Sequence, residues 1–143
     1  MKHTVMVIDG RLDDAVWAGA TPVGGFVERT PTMRGVPGET TTFRLLVDGD
    51  ALYVAVSCED SQPESIRART MQRDSEAIFA TKRSASRSTR RATGVRPMGF
   101  ALNAAGGRMD YRGLNEETIQ IEVDLVWDGA AARDERGWSA SWT

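Results

Sequence analysis

The sequence predicts an all-β fold: an antiparallel two-sheet β-sandwich of jelly-roll or immunoglobulin-like type. Three observations carry this. Short stretches alternate strictly between apolar and polar residues, Gly, Pro and Asp clusters punctuate them, and no βαβ rhythm or internal repeat is present. Residues 1–143 are about one domain in length, and 41% hydrophobic content supports a core.

Taken in order, "MVIDGRLDDAVWAGA" opens with a short apolar strand and turns at Asp9-Gly10. It then enters one helical turn, with Asp13 as N-cap and Asp14 favouring the helix dipole. Leu12, Val16 and Trp17 share a face, and Trp17 reads as a core plug. Thr21 to Thr40, with three Pro and four Gly, is an irregular connection with one extended piece near Phe26-Val27.

"TTFRLLVDGDALYVAVSCED" is a β-hairpin. Phe43, Leu45 and Val47 alternate with Thr42, Arg44 and Leu46, and Leu52, Val54, Val56 and Cys58 alternate with Tyr53, Ala55 and Ser57. The intervening "DGD" supplies residues that tolerate positive φ. The single cysteine, Cys58, excludes an internal disulfide and reads as a small buried hydrophobe. "SQPESIRARTMQRD" is a loop with one helical turn, and "GFALNAAGGRMDY" is two strands joined at Ala104 to Gly107. In "TIQIEVDLVW", Ile119, Ile121, Val123 and Leu125 face one way and Gln120, Glu122 and Asp124 the other, the pattern of a half-buried strand. A last strand starts at "GWSASW" and stops at Thr143, so the sandwich is expected to be incomplete at its C-terminus.

One segment breaks the pattern. "TKRSASRSTRRATGVRP", Thr81 to Pro97, holds six of the eighteen basic residues and no acid, with Val95 its only large aliphatic residue. The remaining twelve basic residues face twenty acidic ones, so the body is acidic. A Ser/Arg tract can bind phosphates, but this one lacks interleaved aromatics and a supporting basic surface, so no nucleic-acid partner is expected.

Catalytic patterns are missing: no G-x-S-x-G elbow, Walker loop, zinc spacing or H-E-x-x-H occurs. The only histidine, His3, lies at the terminus, and the acids of "NEET" and "IEVD" read as a solvated face rather than a glycosidase pair. No enzyme activity is expected. No stretch approaches the roughly 20 apolar residues of a membrane span. The N-terminus lacks signal-peptide character, which as written places the product in the cytoplasm. No feature sets an oligomeric state.

The ordered motifs I-D-G-x-L-D-x-x-W, T-x-F-R-x-L-x-D-x-x-x-L-Y-V-A-V-x-C-x-D, "MQRD", "FALNAAGGRMD" and "WDG…GWSA" resemble the family 9 carbohydrate-binding-module-like domain. They do so especially in the version at the N-terminus of large bacterial outer-membrane-associated proteins of unassigned function. The resemblance spans about residues 7 to 140, apart from the basic segment. It implies a non-catalytic β-sandwich that binds glycans on aromatic side chains, sometimes with structural calcium, as part of a longer exported protein acting in polysaccharide binding or breakdown. The aromatic candidates are Tyr111, Trp127, Trp138 and Trp142. Trp127, beside Asp128-Gly129, stands first, and Tyr111, with Arg108 and Asp110 nearby, second. Trp127 reads equally as a continuation of the buried face of Ile119 to Leu125. Two other functions stay open. One is a haem- or redox-associated sandwich, which would need His3 or one of six Met as axial ligand; the other is a protein-interaction scaffold.

The departures from the family are local. Ala130 to Ala132 stand where a second Trp is usual, and Ser141-Trp142-Thr143 where Glu leads into another apolar strand. The basic segment, residues 81–98, replaces an expected apolar strand and Asp-Gly-Arg turn. Back-translated into GC-rich codons and shifted by two bases, Arg83 to Gly99 can read RVALDTARDGRPAYG, which joins Phe100 in the family's register. The sequence therefore predicts that Lys82 to Met98 is translated out of frame between two compensating indels, and that a third near Ala140 truncates the last strand.

Overall fold

The structure is a computed structural model, and it describes residues 6–28, 32–49, 51–67, 71–75, 78, 83–88, 98–114, 119–121 and 123–143. It is all-β and antiparallel, with two four-stranded sheets and one short α-helix, the class the alternation predicts. The chain divides into two compact units, Met1–Ile66 with Asp128–Thr143, and Arg67–Trp127.

The first unit holds α1 (Ala15–Ala18) and a sheet of β1 (Thr41–Asp48), β2 (Ala51–Glu59), β7 (Gly129–Asp134) and β8 (Gly137–Trp142), in the order β1-β2-β8-β7. The hairpin is as expected: Thr41 faces Cys58, Asp48 faces Ala51, and Gly49 takes φ +60° in the turn. Cross-strand partners share a face. Val54 therefore stands beside Trp142, Val56 beside Ala140 and Cys58 beside Trp138. Those residues are buried except Cys58, which is half-buried rather than the fully buried hydrophobe its alternation predicts, because β2 is leaving the sheet there. Trp17 is 1% exposed, the core plug expected of it. The helix cap differs: Asp14, not Asp13, is the N-cap, and its carboxylate accepts from the Val7 amide at 3.3 Å instead of capping the helix.

The opposite face of this sheet is lined with small residues: Ala55 and Ser57 on β2, Ser139 and Ser141 on β8, Ala130 and Ala132 on β7. They leave room for the turn at Gly10, whose amide donates to Ser141 Oγ at 3.1 Å and whose carbonyl accepts from Ser139 Oγ at 2.6 Å. β7 was not foreseen. Its alanines look like a gap in the family's aromatic pattern, yet they lie where Gly10 meets the backbone of Ala131.

The second unit holds β3 (Arg83–Ser88), β4 (Met98–Asn103), β5 (Arg108–Gly113) and β6 (Ile119–Gln120), paired in that order. β4 and β5 are joined where "NAAGG" predicts. The fully buried Asn103 accepts from the amides of Ala105 and Gly107 through Oδ1, at 3.0 and 2.8 Å, turning the chain with its own side chain. Two expectations are corrected. The basic segment, read as offering no strand, contributes β3, whose backbone pairs with β4 from Arg83↔Asn103 to Ser88↔Met98; ladder bonds are made by backbone groups whatever the side chains. The strand expected over 119–125 is laddered only at Ile119–Gln120. Beyond it the described residues keep alternating burial but bond to side chains instead of a neighbouring strand. Among the described residues no helix is long and apolar enough to cross a membrane.

Candidate functional site

Successive residues of a strand point to opposite faces of the sheet. On β5, Arg108 and Asp110 therefore share one face, and Met109 and Tyr111 the other. The register sets Phe100 beside Asp110 and Gly99 beside Tyr111. Trp127 lies on the first of these faces. Its ring meets Phe100 edge-on, with centroids 5.2 Å apart and planes at 65°. The Arg108 guanidinium stands 5.7 Å from the centre of the indole and donates to the Trp127 carbonyl at 3.5 Å.

Three of the four residues singled out in the sequence, Trp127, Arg108 and Asp110, thus come together. Tyr111 does not join them. It is 9% exposed and packs with Ile78, Ala101 and Met109, its ring lying over Gly99, where a Cβ would come within 2.1 Å of Tyr111 Cζ. Trp138 and Trp142 are both 4% exposed on β8, a strand paired on both sides.

Asp110 is the hub of the cluster. Its side chain is fully buried, a position a carboxylate holds only when its oxygens are bonded. Oδ1 accepts from Trp127 Nε1 at 3.1 Å and from Arg73 Nη2 at 3.3 Å, and Oδ2 accepts from the Leu125 amide at 2.6 Å. Arg73 Nη2 also donates to Asp124 Oδ1 at 2.8 Å and to the Leu125 carbonyl at 3.1 Å, and its Nε lies 3.5 Å from Asp74 Oδ2. Burial works against the Arg73 charge, but the hydrogen bond to Asp110 and the carboxylates of Asp110, Asp124 and Asp74 outweigh it, so its pKa is raised. Neither Arg73 nor Phe100 is singled out by sequence. "MQRD" is visible as a motif, but nothing in it says what Arg73 holds, and Phe100 joins the site only through the β4–β5 register.

The structural calcium implied by the resemblance finds no ligand set: among the described residues no three metal-binding side chains gather to hold an ion. Asp74, Asp110 and Asp124 converge on the Arg73 guanidinium instead. In the first unit, a separate cleft of 470 Å³ is lined by residues that include Arg11, Asp13, Glu59 and Arg136. Its one tryptophan, Trp138, is buried and offers no open ring face.

Residues 8–95, more than half of the chain, match the profile of the carbohydrate family 9 binding domain-like family. The chain belongs to this family. Family 9 domains of this kind are carbohydrate-binding modules and generally non-catalytic, as the sequence motifs imply. The match is shorter than the resemblance read from the motifs: "FALNAAGGRMD" and "WDG…GWSA" lie beyond it, and with them Arg108, Asp110 and Trp127, whereas Arg73 lies within. No curated protein and no solved structure matches the chain.

Proposed function

We propose that this domain binds carbohydrate without catalysis, with Trp127 as the platform for a sugar ring and Arg108 as a hydrogen-bond donor at its rim. One observation carries the reading. Of four tryptophans, Trp17, Trp138 and Trp142 are buried, and Trp127 alone is partly open to solvent while its Nε1 is tied to a buried carboxylate. A sugar presents an apolar C–H face and a polar rim, which a fixed indole beside charged donors complements. The parent is a longer exported protein that holds polysaccharide; the family resemblance supports this assignment.

The test is titration of the purified chain with a panel of soluble oligosaccharides, followed by calorimetry. At least one glycan binds, and Trp127→Ala weakens it by about 2 kcal/mol, roughly 30-fold, as for a central aromatic anchor. A folded chain that binds no member of the panel, or a W127A variant that binds as tightly, overturns the reading; the first outcome favours a protein-interaction scaffold.

We further infer that residues 82–98 are read out of frame. The support is the coherent shifted reading RVALDTARDGRPAYG, whose apolar stretch begins at Arg83, the first residue of β3. Sequencing the coding DNA against that of intact relatives tests it. Two compensating indels flanking the segment are expected, and an uninterrupted homologous frame refutes it.

A further inference from the structure

Trp127 sits in a segment that the sheet itself does not hold. After Gln120 no described residue up to Asp128 belongs to a strand, so the backbone of 123–127 lacks the ladder that normally orders a chain beside a sheet. Side chains do this instead. The Leu125 amide is bound by Asp110 and the Leu125 carbonyl by Arg73, while Asp124 is held by the same Arg73 nitrogen.

We infer that Arg73 is the positioning residue of the sugar site: its guanidinium joins Asp110 to Asp124 and Leu125, and so holds the 123–127 segment in the shape that presents Trp127. This rests on the proposed role of Trp127. The planar fork suits the task, because one nitrogen can serve several oxygens in a fixed geometry. The energetic case is one of preorganisation. A segment already ordered before the ligand arrives does not lose its freedom on binding, whereas an untethered one must.

Acrylamide quenching of tryptophan emission reads the clamp without any ligand, because Trp127 is the partly exposed tryptophan and the other three are buried. Trp127→Phe verifies the assignment by removing the quenchable component. In the full chain, Arg73→Met is expected to raise the quenching constant while the far-UV circular dichroism is unchanged. It also weakens the best glycan about tenfold, the cost of ordering a released anchor and its backbone. An unchanged quenching constant in a folded R73M overturns the proposal. Should R73M fail to fold, Asp124→Ala provides the reading, since that side chain is 88% exposed and its removal spares the core: a raised constant supports the clamp and an unchanged one overturns it. Raised quenching with no glycan bound by the wild-type chain keeps the clamp and discards the sugar reading. Equal glycan affinity of wild type and R73M keeps the sugar reading and discards the positioning role.

Discussion

Replacing Gly10 with alanine tests how the first unit is assembled. Gly10 has φ +83°, in the left-handed region, and a Cβ there would lie 2.4 Å from the carbonyl carbon of Ala131, 2.5 Å from its Cα and 2.7 Å from its nitrogen. All three are backbone atoms of β7, so no rotamer change relieves the clash. The left-handed conformation alone costs an L-residue about 1–2 kcal/mol. Forcing a carbon into a packed contact adds about 1–3 kcal/mol. If the loop backs away instead, the bonds to Ser139 and Ser141 are lost at roughly 1 kcal/mol each. G10A should therefore destabilise by about 3–5 kcal/mol, a large part of the roughly 5–15 kcal/mol that holds a domain together. Gly25→Ala is the control. That glycine also has positive φ, +76°, but nothing lies within 4 Å of the added carbon, so G25A should cost only about 1–2 kcal/mol. Urea unfolding followed by tryptophan emission reads both variants against wild type. A G10A cost within about 0.5 kcal/mol of that of G25A would show that the contact with Ala131 contributes nothing, and would refute the reasoning.

Two other predictions concern the second unit. Asp110→Asn keeps the shape but places an amide N–H among three donors, from Arg73, Leu125 and Trp127; bonds to a charged acceptor are worth about 1.5–3 kcal/mol each, so a loss of about 2–4 kcal/mol and greater acrylamide quenching are expected, and a loss under about 1 kcal/mol would contradict the hub. The raised pKa of Arg73 means that its contribution is present below the unfolded value of 12.5 and is lost only as the pH climbs through the still higher folded value. Quenching of Trp127 should then be flat from about pH 6 to about pH 9, and a midpoint inside that window would show that Arg73 is not what holds the segment.

Much of the fold is legible in the sequence because the relevant signals are local. The hairpin of β1 and β2, the joint between β4 and β5 and the final strand all follow from alternation and turn residues that lie within a few positions of one another. So does the candidate set of Trp127, Arg108 and Asp110, through proximity along the chain and a family resemblance. Tertiary structure decided the rest. Whether alternation in 119–127 becomes a ladder depends on a partner strand, and here Asp110 and Arg73 take that place from 15 and 52 residues away. The alanines of β7 acquire a reason only when Gly10, over a hundred residues earlier, is set against them. Tyr111 and Asp110 are neighbours in sequence, yet one residue of a strand turns a side chain to the opposite face, which separates a core residue from a site residue. Sequence by itself determined which segments extend and where they turn, since those are matters of backbone preference and period. Which faces meet, which charges are buried together and which tryptophan stays open to solvent are set by contacts between distant segments, and these exist only once the chain has folded.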